Sequence, residues 1–201
     1  MFRVFSVILL MAFLCHPAYA GTDEDYYADQ IYAARSGDPD AQAIVAWLYI
    51  HGKGTKADTA KAAYWFEKVA ARGDADAQVM LGMLYERGDG VQQDQHKAFE
   101  LFKQAAEKDH IDAVMNVAMC YKFGKGVEKS PEDADHWYRK LVELCKPEAA
   151  KGNPGAQGYL GLCYAYGNGV AINLPQARYW LKKAADQGNK QAKQYLDALK
   201  R

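Results

Sequence analysis

The chain has 201 residues, half of them hydrophobic, and balances 25 Lys and Arg against 25 Asp and Glu. That balance excludes the basic footprint with which proteins hold nucleic acid or an anionic membrane surface. After the first 20 residues no apolar run approaches the ~20 residues that a membrane-spanning helix needs, so the mature chain is not expected to insert into a bilayer.

The chain opens with a basic Arg3, an apolar stretch from Val4 to Leu14, and the small-residue site Ala18-Tyr19-Ala20. The stretch is too short to span a membrane and has the layout of a secretory signal peptide cleaved after Ala20. A lipoprotein site at Cys15 fits less well, because the bulky Leu14 stands where a small residue is wanted. The expected location is periplasmic or secreted. Three cysteines follow the leader, Cys120, Cys145 and Cys163, so at least one has no partner within the chain.

Residues 21–37 read as half of a repeat, because Ala33-Ala34-Arg35 before Gly37 resembles Ala70-Ala71-Arg72 before Gly73. Four whole repeats follow, over residues 38–73, 74–109, 110–152 and 153–188. Their anchor motif, A-x-x-x-[LV]-[GA]-x-[LC]-Y-x-x-G-x-G, starts at Ala41, Ala77, Ala113 and Ala156, at spacings of 36, 36 and 43. Within it Ala41, Val45, Leu48 and Tyr49 stand at i, i+4, i+7 and i+8, one stripe of a helix. Asp38-Pro39 supplies an N-cap and a first-turn proline, and Gly52 a left-handed stop. After the G-x-G turn, Asp58, Asp94, Ser130 and Asn173 recur as N-caps of a second helix. That helix ends near Gly73, Gly152 and Gly188, with Asp109 breaking the glycine pattern.

Ala46, Gly82, Ala118 and Gly161 are the small residues expected where the two helices approach closely. Trp65, Trp137 and Trp180 are expected in the core between helices. The third repeat carries seven extra residues within Lys140–Gly152, about two helical turns. Pro147 predicts a kink or a stop just after Cys145. Residues 189–201 read as a polar capping helix.

One helix pair cannot bury its apolar stripe alone, whereas stacked pairs can. The expected fold is therefore all-α, a right-handed α-solenoid of antiparallel helix pairs like a tetratricopeptide superhelix.

The phrases "AQVMLGMLYERGDGV" and "ARYWLKKAADQG" resemble the Sel-1-like repeat family, over residues 38–188 with half-repeats outside. Thr55 departs from the pattern, standing where the later copies have Val91, Val127 and Val170. Cys120 and Cys163 stand where Leu48 and Leu84 stand, which places them in the core. The resemblance implies a binding scaffold of bacterial envelopes, secretion systems or signalling. A cysteine-rich branch of the family is linked to penicillin binding and weak β-lactamase activity, and staples each repeat with paired cysteines. Here alanines, for example Ala149 or Ala150 and Ala156, occupy those places. Cys120 and Cys163 lie in neighbouring first helices, expected ~8–10 Å apart, beyond the reach of a bridge.

No catalytic constellation is legible. Ser36 sits in a turn and Ser130 caps a helix, and they are the only serines after the leader. His51, His96, His110 and His136 lack metal-ligand spacing. The G-x-G pairs leave a helix instead of opening one, so they are turn glycines and not phosphate cradles. No cofactor or metal is expected, and the chain reads as a non-enzyme.

The binding surface is expected on the side of the first helices opposite their core stripe, the concave face of a solenoid. Trp47, Met83, Met119 and Leu162 share one repeat position there, flanked by Ile50, Glu86, Met115 and Lys122. Apolar side chains in a row mark contact sites, and Met and Trp suit adaptable recognition. The competing arrangement packs them against neighbouring helices, with Glu86 and Lys122 pairing to each other. Phe123 and Tyr166, at the G-x-G turns, form a second candidate edge. The expected partner is another protein or a peptide, for an envelope regulator or adaptor. The alternatives are an immunity protein that occludes a periplasmic toxin and a β-lactam-binding hydrolase of the cysteine-rich kind.

Overall fold

A computed structural model describes residues 21–199; the expected leader, residues 1–20, lies outside them. Among the described residues every regular element is a helix. The order is α1 Asp23–Arg35, α2 Pro39–His51, α3 Thr59–Ala70, α4 Ala75–Arg87, α5 Gln95–Ala106, α6 Ile111–Phe123, α7 Pro131–Ala150, α8 Pro154–Tyr166, α9 Leu174–Asp186 and α10 Lys190–Ala198. This is the α-solenoid of helix pairs expected from the repeats. It divides into two compact units, one ending at Lys108 and one beginning at Asp109.

Local chemistry sets the helix boundaries. The side chains of Asp38, Asp58, Asp74, Asp94, Ser130, Asn153, Asn173 and Asn189 each accept a hydrogen bond from a first-turn backbone N–H, and His110 does so through Nδ1. Thr22 and Asp25 form a reciprocal capping box at α1. Each first helix ends on a left-handed glycine, Gly52, Gly88, Gly124 or Gly167. The second glycine of a pair serves close approach. A Cβ on Gly90 would lie 2.3 Å from the Thr59 carbonyl carbon, and one on Gly169 2.5 Å from that of Tyr138. Asp109, which breaks the glycine pattern, nevertheless adopts the glycine conformation, φ +62°, and pairs with Lys140 at 2.7 Å.

Inside the first unit, α2–α3 and α4–α5 pack as pairs and α1 covers α2. Val45, Leu48, Phe66 and Phe102 fill the core, with Ala46 buried among them and Gly82 at a close approach to Phe102. In the second unit α6–α7 and α8–α9 pair in the same way, and α10 covers α9.

The seven extra residues lengthen α7 to 20 residues, against 12 in α3 and α5. The apolar stripe survives, since Leu141, Val142, Cys145 and Ala149 are all buried. The register shifts with the added length: Gly90 abuts the first residue of α3, and Gly169 the eighth of α7. Of the kink or stop expected at Pro147, the stop does not occur, and α7 runs on to Ala150. Pro147 is exposed, as is Glu143 one turn earlier. The carbonyl that loses its amide partner therefore belongs to the solvent side of the helix.

Glutamines at one repeat position stitch the pairs together. Gln42, Gln78 and Gln157 are buried and donate through Nε2 to the carbonyls of Ala34, Ala70 and Ala149 at 3.0, 3.4 and 3.0 Å. Gln78 Oε1 accepts from Lys108 and Gln157 Oε1 from Gln187.

Candidate functional site

The helix that turns its apolar stripe inward presents its other side outward, and the structure places the candidate residues there unevenly. In the first unit Trp47 and Ile50 on α2 and Met83 and Glu86 on α4 are all half-buried. The Trp47 ring stacks on His51, centroids 4.0 Å apart and 26° from parallel, and His51 Nδ1 bonds the Trp47 carbonyl at 3.0 Å. This lock holds the indole against the end of α2. The Glu86 carbonyl accepts from the side chains of Gln93 and Gln95 at 2.8 and 2.7 Å. Those bonds fix the turn and leave the carboxylate to other contacts.

In the second unit Met115, Met119 and Lys122 on α6 are half-buried. The Tyr138 hydroxyl donates to Met119 Sδ at 3.2 Å, which orients the thioether. Lys122 Nζ donates to Asn168 Oδ1 at 3.2 Å and lies 5.6 Å from the Tyr138 ring centre. Leu162 departs from the expected exposed row. It is 8% exposed and packs with Leu181, Ala184 and Ala192, beside Tyr195, Leu196 and Leu199. The capping helix α10 lies over the position, so the stripe ends beneath it. A cavity of about 70 Å³ remains there, between Gly158, Tyr159, Leu162 and Tyr195.

The tryptophans of the second helices also divide. Trp65 is buried as expected, whereas Trp137 and Trp180 are only half-buried. Their rings are partly covered by charge, with Lys140 5.3 Å from Trp137 and Lys183 5.7 Å from Trp180.

A polar network unread in the sequence lies at Tyr85. Its hydroxyl donates to Glu67 Oε1 at 2.6 Å and accepts from Lys97, whose ammonium also sits 4.0 Å from the ring centre. Burial and the Glu67 carboxylate push the Tyr85 phenol up, so it stays protonated and acts as a tie between helices. The repeated tyrosine of the anchor motif marks the position, but the partners of Tyr49 and Tyr85 differ. Tyr49 instead shares a 2.6 Å hydroxyl contact with Tyr27.

Nucleophiles are held quiet. Ser36 Oγ donates to the Tyr32 carbonyl at 3.1 Å, and Ser130 Oγ accepts from Asp133 N. Cys120, Cys145 and Cys163 are all buried. Burial pushes the Cys145 and Cys163 thiols up to about 12, far from thiolate at neutral pH. The Tyr159 phenol is pushed up by burial and by the Asp112 carboxylate, to which it donates at 2.7 Å. Among the described residues no three His, Cys, Asp or Glu side chains gather as a metal site, and no helix is long and apolar enough to cross a membrane.

Comparison with known proteins agrees with this arrangement. The Sel1 repeat model matches residues 39–74, 75–110, 111–144 and 154–189. No curated protein matches the chain. Among solved structures, a Sel1 repeat protein from Oxalobacter formigenes is 32% identical over 88% of this chain and 69% of its own, with a TM-score of 0.68. The protective antigen c5321 of uropathogenic Escherichia coli is 29% identical over 94% of this chain but 39% of its own, also at 0.68. The immunity protein Pa5087 from Pseudomonas aeruginosa shares the fold at 20% identity, over 90% of this chain and 64% of its own, with a TM-score of 0.57. Four matched repeats, glycine-stopped first helices and capped second helices together make this chain a member of the Sel1 repeat family.

Proposed function

We propose that this chain is an exported, non-catalytic scaffold that holds a protein or peptide along its first-helix face, as an envelope regulator or adaptor. The observation that carries this is the half-exposed row at one repeat position, Trp47 and Met83 in the first unit and Met119 in the second. All three stay partly open to solvent, and Sel1 repeats generally mediate protein interactions. Trp47 is held by His51 and Met119 by Tyr138, so part of the ordering entropy of binding is already met before a partner arrives.

Export rests on the leader pattern in residues 1–20. Protonated buried thiols and capping serines favour binding over hydrolysis. An immunity role would use the same face and differ in the identity of the partner. The test is replacement of Trp47 and Met119 by aspartate, with helix content and melting as controls. Loss of partner capture at unchanged fold supports the assignment. Capture that survives both substitutions removes this face from the function.

A further inference from the structure

Two contacts fix the register of the antiparallel helices α7 and α8. A Cβ on Gly169, in the turn after α8, would lie 2.5 Å from the Tyr138 carbonyl carbon. At the other end, Gln157 donates to the Ala149 carbonyl at 3.0 Å. Cys145 stands seven residues after Tyr138 and four before Ala149, and Cys163 stands six before Gly169 and six after Gln157. Counted from either contact, the two cysteines are level to within one or two residues, about 1.5–3 Å along the helix axes.

Both thiols turn into that interface. Gly161 faces α9, where a Cβ on it would meet Leu181 at 2.7 Å. Cys163 follows two residues later, about 200° round the helix, and so points away from α9. It is 2% exposed, and the helix packed on that side of α8 is α7. Cys145 is fully buried on the stripe of α7 that holds Leu141 and Ala149. The other neighbour of α7 only begins at this level. Tyr138 bonds Met119, so Cys145, seven residues on, is level with Asp112, the second residue of α6. Burial first, then the Cys163 sulfur and the Asp112 carboxylate, push the Cys145 thiol up, in keeping with this placement. The corresponding residues of α3 and α4, four before Ala70 and six after Gln78, are Phe66 and Leu84. The repeat fold therefore needs no sulfur there.

Packed helix axes lie ~8–10 Å apart and each Cα stands about 2.3 Å off its axis. Facing Cα atoms with this small offset are then about 4–6 Å apart, within the span of a disulfide.

We propose that Cys145 and Cys163 are a disulfide-forming pair, oxidised as the chain folds, that staples the long α7 to α8. In the unfolded chain both thiols are open and ionise normally, whereas the closed core keeps them protonated and out of reach. One thiolate attacks a disulfide oxidant and expels one of its sulfurs. The second cysteine then attacks the mixed disulfide and expels the other. A bond forms between the two Sγ atoms, the cysteines give up two electrons and two protons, and the oxidant leaves as two thiols. The proposed export would take the chain to a compartment where such oxidants act. The bridge uses none of the residues assigned to partner binding and stands or falls separately from that reading.

Refolding the full chain from denaturant tests it, with glutathione disulfide as the oxidant and reduced glutathione alone as the control. Alkylation after renewed unfolding should find all three of these thiols in the control and two fewer in the oxidised chain. Digestion of the oxidised chain should release one reducible peptide pair, joining Cys145 to Cys163. The oxidised chain should match the control in helix content, melt at a higher temperature and lose that gain when reductant is added. Cys120→Ala should still form the bridge, and Cys145→Ala should not. A refolded wild-type chain that keeps every thiol would overturn the proposal. So would a peptide pair joining other cysteines, or an oxidised chain that melts below the control or fails to regain its helix content.

Discussion

Gly82 and Phe102 meet so closely that a Cβ on the glycine would lie 2.6 Å from the phenylalanine ring. The pair joins α4 to α5, and Phe102 is fully buried and cannot swing aside. Gly161 stands in the same relation to Leu181 Cγ, at 2.7 Å. Overpacking costs about 1–3 kcal/mol, against which alanine regains about 1 kcal/mol of helix propensity. Gly82→Ala and Gly161→Ala should therefore each lose up to about 2 kcal/mol in urea titrations. Gly155, whose Cβ would meet only the side chain of Asn153 at 3.3 Å, should tolerate alanine or gain from it.

The turns between repeats depend on backbone conformation more than on space. Gly152 has φ +100° and nothing within 4 Å of a Cβ, so Gly152→Ala meets strain without a clash. The expected loss is about 1–2 kcal/mol. Asp109→Gly should gain a fraction of that, because it relieves a left-handed aspartate while giving up an exposed pair with Lys140. Thermal melting of the two variants checks both signs.

The buried glutamines were not legible as a structural device. A glutamine inside an amphipathic helix reads as surface, and only the packed structure shows Gln157 donating to the Ala149 carbonyl at the end of the preceding helix. Gln157→Leu keeps the volume but removes one of the two donors to that carbonyl, leaving the Gly152 N–H at 3.1 Å, at a cost of about 0.5–1.5 kcal/mol. Stability should fall by that amount in denaturant unfolding. The third repeat places Val114 at this position, so the stitch is not common to all junctions.

What the sequence did disclose follows from local chemistry. Asp58, Asp94, Ser130 and Asn173 cap second helices because a short oxygen-bearing side chain satisfies first-turn amides whatever surrounds it. The glycine pairs and the small residues at Gly82 and Gly161 are legible for the same reason. Pro147 and Leu162 are not. Whether a proline ends a helix depends on whether its orphaned carbonyl faces water. Whether Leu162 is surface depends on where α10 docks, and both are tertiary matters. The half-exposure of Trp137 and Trp180 likewise depends on which lysines lie across their rings.

Burial raises the Cys145 and Cys163 thiols from 9.0 to about 12, and the Tyr49 and Tyr138 phenols from 10.0 to about 12. Each group has a folded pKa above its unfolded one, so the folded chain holds the proton more tightly. The stability they contribute is fully present below about pH 9 and is lost as pH rises towards 12. Melting temperature should fall steadily across that window. At neutral pH the reduced native chain should resist thiol alkylation, and all three described cysteines should react once it is unfolded.

The most direct test of the proposed binding face is a photo-reactive residue placed at Met83 in the full chain expressed in cells, with the same group at exposed Lys182 as control. The scaffold account predicts one dominant protein adduct from Met83, none of matching mass from Lys182, and loss of the adduct on Trp47→Asp. A folded protein that gives no adduct from Met83, or the same adducts from both positions, would contradict it.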